Sequence, residues 1–203
     1  MDGNAGSKEL VSYLTLRKVV GVLGVLLPFL CLAFGLYHGL EDSISDYYGT
    51  RVRDLFVGIL FAIAWFLFTY KGYERKDDLA GDLACIFALG VALFPTTSPE
   101  LWVRAVHFLC AAALLLVLSY FSLRLFTKTG GSPTPQKLQR NRVYRVCGWI
   151  MLACIASILV YYLFLEESAL AAWKPVFWLE SFALWAFGVS WSIKGEMLLE
   201  DRP

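Results

Sequence analysis

Long apolar runs, separated by short charged segments, set the rhythm of the chain. Six runs occur, over about residues 18–39, 53–71, 79–96, 102–126, 144–165 and 175–194. A helix needs roughly 20 apolar residues to cross the hydrocarbon of a bilayer, and about 17 can suffice. Inside lipid every backbone N–H and C=O must find its partner within the protein, which leaves helices and closed barrels. None of the runs alternates polar and apolar positions as a barrel strand does. The pattern therefore predicts an all-α, polytopic membrane protein, a single six-transmembrane-helix bundle over residues 1–203. The third run is the shortest, with its apolar stretch from Leu83 to Phe94 extended by Leu79 and Ala80.

The charges between the runs give an orientation. Lys and Arg concentrate on the cytoplasmic side of membrane proteins. One set of flanks holds Lys8, Arg17, Lys18, Lys71, Arg75, Lys76, Arg124, Lys128, Lys137, Arg140, Arg142, Arg145, Lys194 and Arg202, which is 14 of the 18 basic residues. Only Arg51, Arg53, Arg104 and Lys174 fall on the other set. Both termini and the second and fourth loops are thus expected in the cytoplasm, which for a bacterium means the inner membrane. The polar stretch before the first run and the length of that run argue against a cleaved leader.

Composition agrees with this picture. Hydrophobic residues make up 58% of the chain and charged ones 17%, and the mean hydropathy is +0.60. A soluble domain has about 45–50% apolar and about 25% charged residues. A net charge of +1 and the lack of any recognition motif give no reason to expect nucleic acid. The lipid bilayer is the expected partner, with a protein partner or a homo-oligomer left open. The five cysteines, Cys31, Cys85, Cys110, Cys147 and Cys154, all lie in apolar runs without CxxC spacing. They read as small core residues rather than a disulfide framework.

Small residues suggest how the helices meet. Ala80, Ala84, Ala88 and Ala92 recur every fourth position in the third run, a stripe that allows close backbone approach and places that helix inside the bundle. Gly21, Gly24 and Gly35 surround Pro28 in the first run, where a kink is expected. Tyr37, Tyr47, Tyr48, Trp102, Tyr161, Tyr162, Trp173 and Trp178 cluster near span ends on the outer side, as interfacial anchors do. The fourth loop carries Gly-Gly-Ser-Pro-Thr-Pro and then a basic run, suited to lying near anionic headgroups. No inverted repeat is discernible: Pro28 has no counterpart in the fourth run.

Ionisable residues inside a span are expensive and draw attention to function. Glu180 lies five residues past Pro175 and His107 three past Arg104, so both sit in the outer third of their helices, about 4–8 Å down at 1.5 Å per residue. Above them runs the first outer loop, His38 to Asp54, with six formal charges of mixed sign and several hydroxyls. It reads equally as a folded cap over a site or as a solvated loop with helix caps. The candidate outer-face polar site comprises His38, Asp42, Ser45, Asp46, Arg51, Asp54, Arg104, His107 and Glu180. A buried ionisable group must be paired or shift its pKa, so Glu180 is expected against His107 or Arg104. Arg51 and Arg53 are expected to pair with Asp46 or Asp54. Such a cluster either locks the helices together or binds a ligand or lipid headgroup.

Specific chemistries find thin support. A zinc hydrolase needs three protein ligands and an open position, for which His38, His107 and Glu180 are the weak candidates. No HxxxH or HExxH pair places two ligands on one helical face. No GxSxG elbow accompanies Ser43, Ser45 or Ser181.

Two stretches carry a resemblance. Ser43-Ile-Ser-Asp-Tyr-Tyr-Gly-Thr-Arg-Val-Arg-Asp-Leu-Phe-Val-Gly58 and Glu180-Ser-Phe-Ala-Leu-Trp-Ala-Phe-Gly-Val-Ser-Trp-Ser-Ile-Lys-Gly195 resemble a family of uncharacterised bacterial polytopic integral membrane proteins. That resemblance implies the same topology and no particular reaction. A more distant likeness is to the transmembrane hydrolases that include alkaline ceramidases and adiponectin-type receptors. Those hold zinc with histidines on a seven-helix bundle, beside a Ser and an Asp. This chain offers Asp46 or Asp54 and His107, departs in having six runs and no histidine pair in the last, and carries Glu180 there. Three readings follow: a membrane protein with an outer ligand or headgroup site, a metal-dependent lipid hydrolase of amidase type, and a small transporter. The transporter reading wants acidic residues at the membrane midplane, and no run has a charge at its centre.

Overall fold

The computed structural model describes residues 3–72 and 74–199, with side chains from residue 13 onward. The expected roles of Lys8 and Arg202 lie outside the described side chains. Six α-helices follow one another: α1 (Gly3–His38), α2 (Arg53–Phe68), α3 (Arg75–Leu93), α4 (Leu101–Tyr120), α5 (Pro135–Val160) and α6 (Pro175–Lys194), and the described residues form no strand. Four of the helical segments, Tyr13–His38, Leu101–Leu125, Pro135–Leu165 and Pro175–Lys194, are long and apolar enough to cross a membrane. α2 has 16 residues, and α3 opens with the charged turn Arg75-Lys76-Asp77-Asp78.

Each helix packs on the next in the chain, and α6 closes the ring by packing on α1. Many large apolar side chains face outward, among them Leu109 at 71%, Trp149 at 65% and Phe164 at 76% exposure. Water would penalise that surface by about 25 cal/mol for each Å² of apolar area; hydrocarbon does not.

Local chemistry explains where the helices start. Pro135 and Pro175 stand at first-turn positions, where a missing N–H costs nothing. Thr134 caps α5, its side chain accepting from the Lys137 N–H at 3.1 Å. Glu74 and Asp77 form a reciprocal capping box on α3. α4 and α5 both end in a wide π turn, Phe121–Leu125 and Tyr161–Leu165. Pro28 lies inside α1, which runs on through it. In the turn before it, the Val25 carbonyl accepts from Trp185 Nε1 at 3.2 Å.

The closure of α6 on α1 depends on glycine. A Cβ on Gly188 would stand 2.7 Å from the Gly21 carbonyl oxygen, and one on Gly21 would stand 2.9 Å from that of Gly188. The two backbones therefore touch. The alanine stripe of α3 is buried as expected, with Ala84 and Ala88 fully so. The opposite face of α3, however, exposes Leu79, Leu83, Ile86 and Leu93, so α3 belongs to the ring rather than to its interior. Of the four long apolar helices α6 is the most buried: 61% of its apolar stretch is buried, against 17% for that of α4. Ser190 of α6 and Ser122, just after α4, share a buried hydrogen bond of 2.7 Å.

Candidate functional site

The first loop is a folded cap. Gly39 takes a left-handed conformation (φ 97) that turns the chain out of α1. Ser43 Oγ donates to Asp46 Oδ2 at 2.8 Å and accepts from the Asp46 N–H at 3.1 Å. Thr96 Oγ1, from the α3–α4 connection, donates to Asp46 Oδ1 at 2.7 Å. The other side of the loop is tied to α6. The Phe177 N–H donates to the Asp42 carbonyl at 3.0 Å, the Ile44 N–H donates to Glu180 Oε2 at 2.7 Å, and Lys174 pairs with the Asp42 carboxylate. Tyr47 is fully buried beneath the loop, and burial pushes its phenol up to about 12. This buried tyrosine is a core residue, not the interfacial anchor expected.

Several expected pairings take other forms. Glu180 meets neither His107 nor Arg104; it accepts a backbone N–H of the cap. His107 is buried, and its Nδ1–H donates to the Phe94 carbonyl at 2.6 Å, fastening α4 to the end of α3. A backbone partner was within reach of each residue, a donor for Glu180 and an acceptor for His107, and it satisfies a buried polar group as well as a side chain does. Arg53 lies over the Tyr48 ring at 4.4 Å and donates to its hydroxyl at 2.7 Å rather than pairing with an aspartate. Arg51 is exposed, and so is Asp54, in the first turn of α2, where a carboxylate suits the positive end of a helix. His38 is also exposed, its ring 4.4 Å from that of Phe34. His38, His107 and Glu180 therefore do not converge: among the described residues no group of three His, Cys, Asp or Glu side chains is placed to hold a metal.

Two voids adjoin the cap. The larger is a cleft of about 450 Å³, within the size range of small-molecule sites. The cap and the α3–α4 connection give it Asp42, Asp46 and Thr96, and α4 gives it Arg104 and Phe108. The π turn after α5 gives it Tyr161 and Tyr162, followed by Glu166, while Lys174, Pro175 and Val176 close the far side. Phe108 and Tyr162 meet at 5.7 Å between ring centres, forming an aromatic wall. Three carboxylates and two cations thus share one recess. Lys174 is already paired with Asp42, which holds its ammonium above the usual lysine range. Arg104 and Glu166 are exposed and have no ion-pair partner among the described residues. The smaller void, of about 60 Å³, lies deeper, among α1, α2, α3, α4 and α6, with Ser45 and Glu180 as its polar lining.

Of the nine residues expected at the outer face, Asp42, Asp46 and Arg104 line the cleft. Ser45 and Glu180 line the inner void. His107 is buried at the α3–α4 junction, and His38, Arg51 and Asp54 line neither void. Thr96, Tyr161, Tyr162, Glu166 and Lys174 are cleft residues that the sequence pattern did not single out. The signal was present in the Tyr-Tyr doublet four residues before Glu166, but such a doublet at a span end is also what an interfacial anchor looks like. The chain matches no family model, no curated protein and no solved structure.

Proposed function

We propose that this is an integral membrane protein whose six helices all cross the bilayer, with both termini cytoplasmic. The outer cleft binds the polar headgroup of a zwitterionic lipid or similar amphiphile. The observation that carries this reading is the mixed-charge cleft itself, which is lined by both the Arg104 guanidinium and the Glu166 carboxylate, neither with an ion-pair partner among the described residues. A guanidinium takes a phosphate bidentately. An ammonium is held by a carboxylate and by aromatic faces, which Glu166, Phe108 and Tyr162 supply. The outward apolar surfaces of α4 and α5 beside the cleft give the acyl chains somewhere to lie. For a bacterial chain the membrane is the inner one.

The test is lipid binding by the detergent-purified protein, measured by native mass spectrometry with phosphatidylethanolamine. Arg104→Ala removes one charge-assisted contact worth about 1.5–3 kcal/mol, so affinity is expected to fall about 10- to 100-fold. Arg51→Ala, an equal loss of charge on the same face, is expected to bind as the wild type does. Equal binding by Arg104→Ala and wild type refutes the reading.

A further inference from the structure

At the opposite end of the bundle, cations gather on an aromatic floor. The Arg17 guanidinium lies 4.1 Å from the Tyr13 ring centre and 5.6 Å from that of Tyr70. Lys194 Nζ lies 5.6 Å from the Phe126 ring centre. Lys137 Nζ lies 5.8 Å from the Tyr144 ring centre and donates to the Phe126 carbonyl at 2.8 Å. The rings are themselves in contact, Tyr70 to Phe126 at 6.4 Å and Phe126 to Tyr144 at 5.4 Å. Cations from α1, α5 and α6 are thereby held on one surface.

Topology alone does not require this arrangement. The positive-inside preference is met by any lysine or arginine at this end of the bundle, including the exposed Arg142 and Arg145. Aromatic faces attract cations but do not cancel the charges of Arg17 and Lys194. Among the described residues no carboxylate stands within ion-pair distance of Arg17 or Lys194. Arg17 Nε is buried without a hydrogen-bond partner among them. Arg140, one turn beyond Lys137, is 8% exposed and donates to the Leu199 carbonyl at 3.5 Å. Beside these residues the Thr129–Thr134 loop encloses a recess of about 240 Å³, with Lys137 and Arg140 on its wall. Its rim carries two glycines and the hydroxyls of Thr129, Ser132 and Thr134. Glycine backbone, hydroxyls and paired cations are the groups that cradle phosphate.

We infer that this end of the bundle binds a phosphate group, with Lys137 and Arg140 at the recess and Arg17 and Lys194 supplying positive potential behind them. The phosphate belongs either to an anionic lipid of the adjacent leaflet or to a free phosphate, since both present the same oxygens. The site is independent of the outer cleft.

The experiment uses the full chain in mixed micelles and reads its melting temperature. Two titrations are run: inorganic phosphate against chloride at equal ionic strength, and phosphatidylglycerol against phosphatidylcholine. A saturable rise with phosphate assigns the free anion, and a saturable rise with phosphatidylglycerol alone assigns the lipid. Lys194→Gln and Lys137→Gln are each expected to weaken the midpoint about tenfold or more, while Arg142→Gln, an equal loss of charge on α5, leaves it in place. Lys194→Gln without ligand is expected to melt no lower than the wild type, because it removes a repelling charge. The inference is overturned if neither titration saturates, if both lysine variants bind as the wild type does, or if Arg142→Gln weakens binding as much as they do.

Discussion

Asp77 is 1% exposed, yet it carries a carboxylate. It is tolerated because Lys128 Nζ reaches it at 2.7 Å and because it completes the capping box that starts α3. Asp77→Ala is expected to destabilise the protein by about 1–3 kcal/mol, read as a lower melting temperature in detergent. Lys128 adds a pH signature. The hydrogen bond to Asp77 holds its ammonium above the ordinary lysine range. A group raised on folding contributes fully below its unfolded value, about 10.4 for lysine, and loses that contribution as pH climbs through the folded value. The melting difference between wild type and Lys128→Met should therefore stay constant from about pH 7 to about pH 9 and close above about pH 10.4. A gap unchanged at high pH sinks the ion-pair account. At this scale the sequence was only partly readable. It drew attention to Glu180 and His107 as costly intramembrane groups, and both are engaged. It did not foretell that backbone atoms, Ile44 N–H and Phe94 C=O, would engage them, because such partners leave no side-chain pattern. Asp77 carried no signal of its own, because the side chain that pairs with it, Lys128, lies 51 residues further along the chain.

Among the helices, the tightest dependence is that of α1 on α6. Gly188→Val drives a side chain into the Gly21 carbonyl and the Val25 side chain. Overpacking of this kind costs typically 1–3 kcal/mol, so a clear fall in melting temperature is expected. Gly58 in α2 is the matched control, since nothing lies within 4 Å of the position a Cβ would take. Gly58→Ala should be neutral or stabilising by up to about 1 kcal/mol through reduced backbone freedom. If Gly188→Val melts with Gly58→Ala, the two helices do not depend on that contact. Helix existence was legible from apolar run length, and the small-residue stripe of α3 was legible from its four-residue spacing. Which faces meet was not. A stripe such as Ala80–Ala92 reports that something approaches closely but not what, and α3 uses it while keeping Leu83 and Ile86 on the outer surface.

For the whole molecule, the open question is how short elements share a bilayer with long ones. α2 has 16 residues, about 24 Å at 1.5 Å per residue, whereas bilayer hydrocarbon is about 30 Å thick. To cross, the helix would have to be met by local thinning of the bilayer or be shielded at its ends by protein. The cap offers shielding at the start of α2: Tyr47 is buried and Val52 half-buried there, and the Phe56 N–H bonds to the Val52 carbonyl at 3.0 Å. If α2 crosses, six spans alternate in direction, and the loops fall into two sets that only chemistry from opposite sides can reach. The five native cysteines are suitably inert for such a test, four of them buried and Cys110 half-buried. They are replaced by serine or alanine, and one new cysteine is introduced at a time into a loop. His38, Thr97 and Glu167 are expected to react with a membrane-impermeant maleimide added outside intact cells, and Lys71 and Gly130 only after lysis. The decisive pair is His38 and Lys71, which flank α2. Opposite labelling of the two places α2 across the membrane, and labelling of both from outside reduces the bundle to fewer spans. In that case the recess at the Thr129–Thr134 loop and the outer cleft need no longer face opposite leaflets.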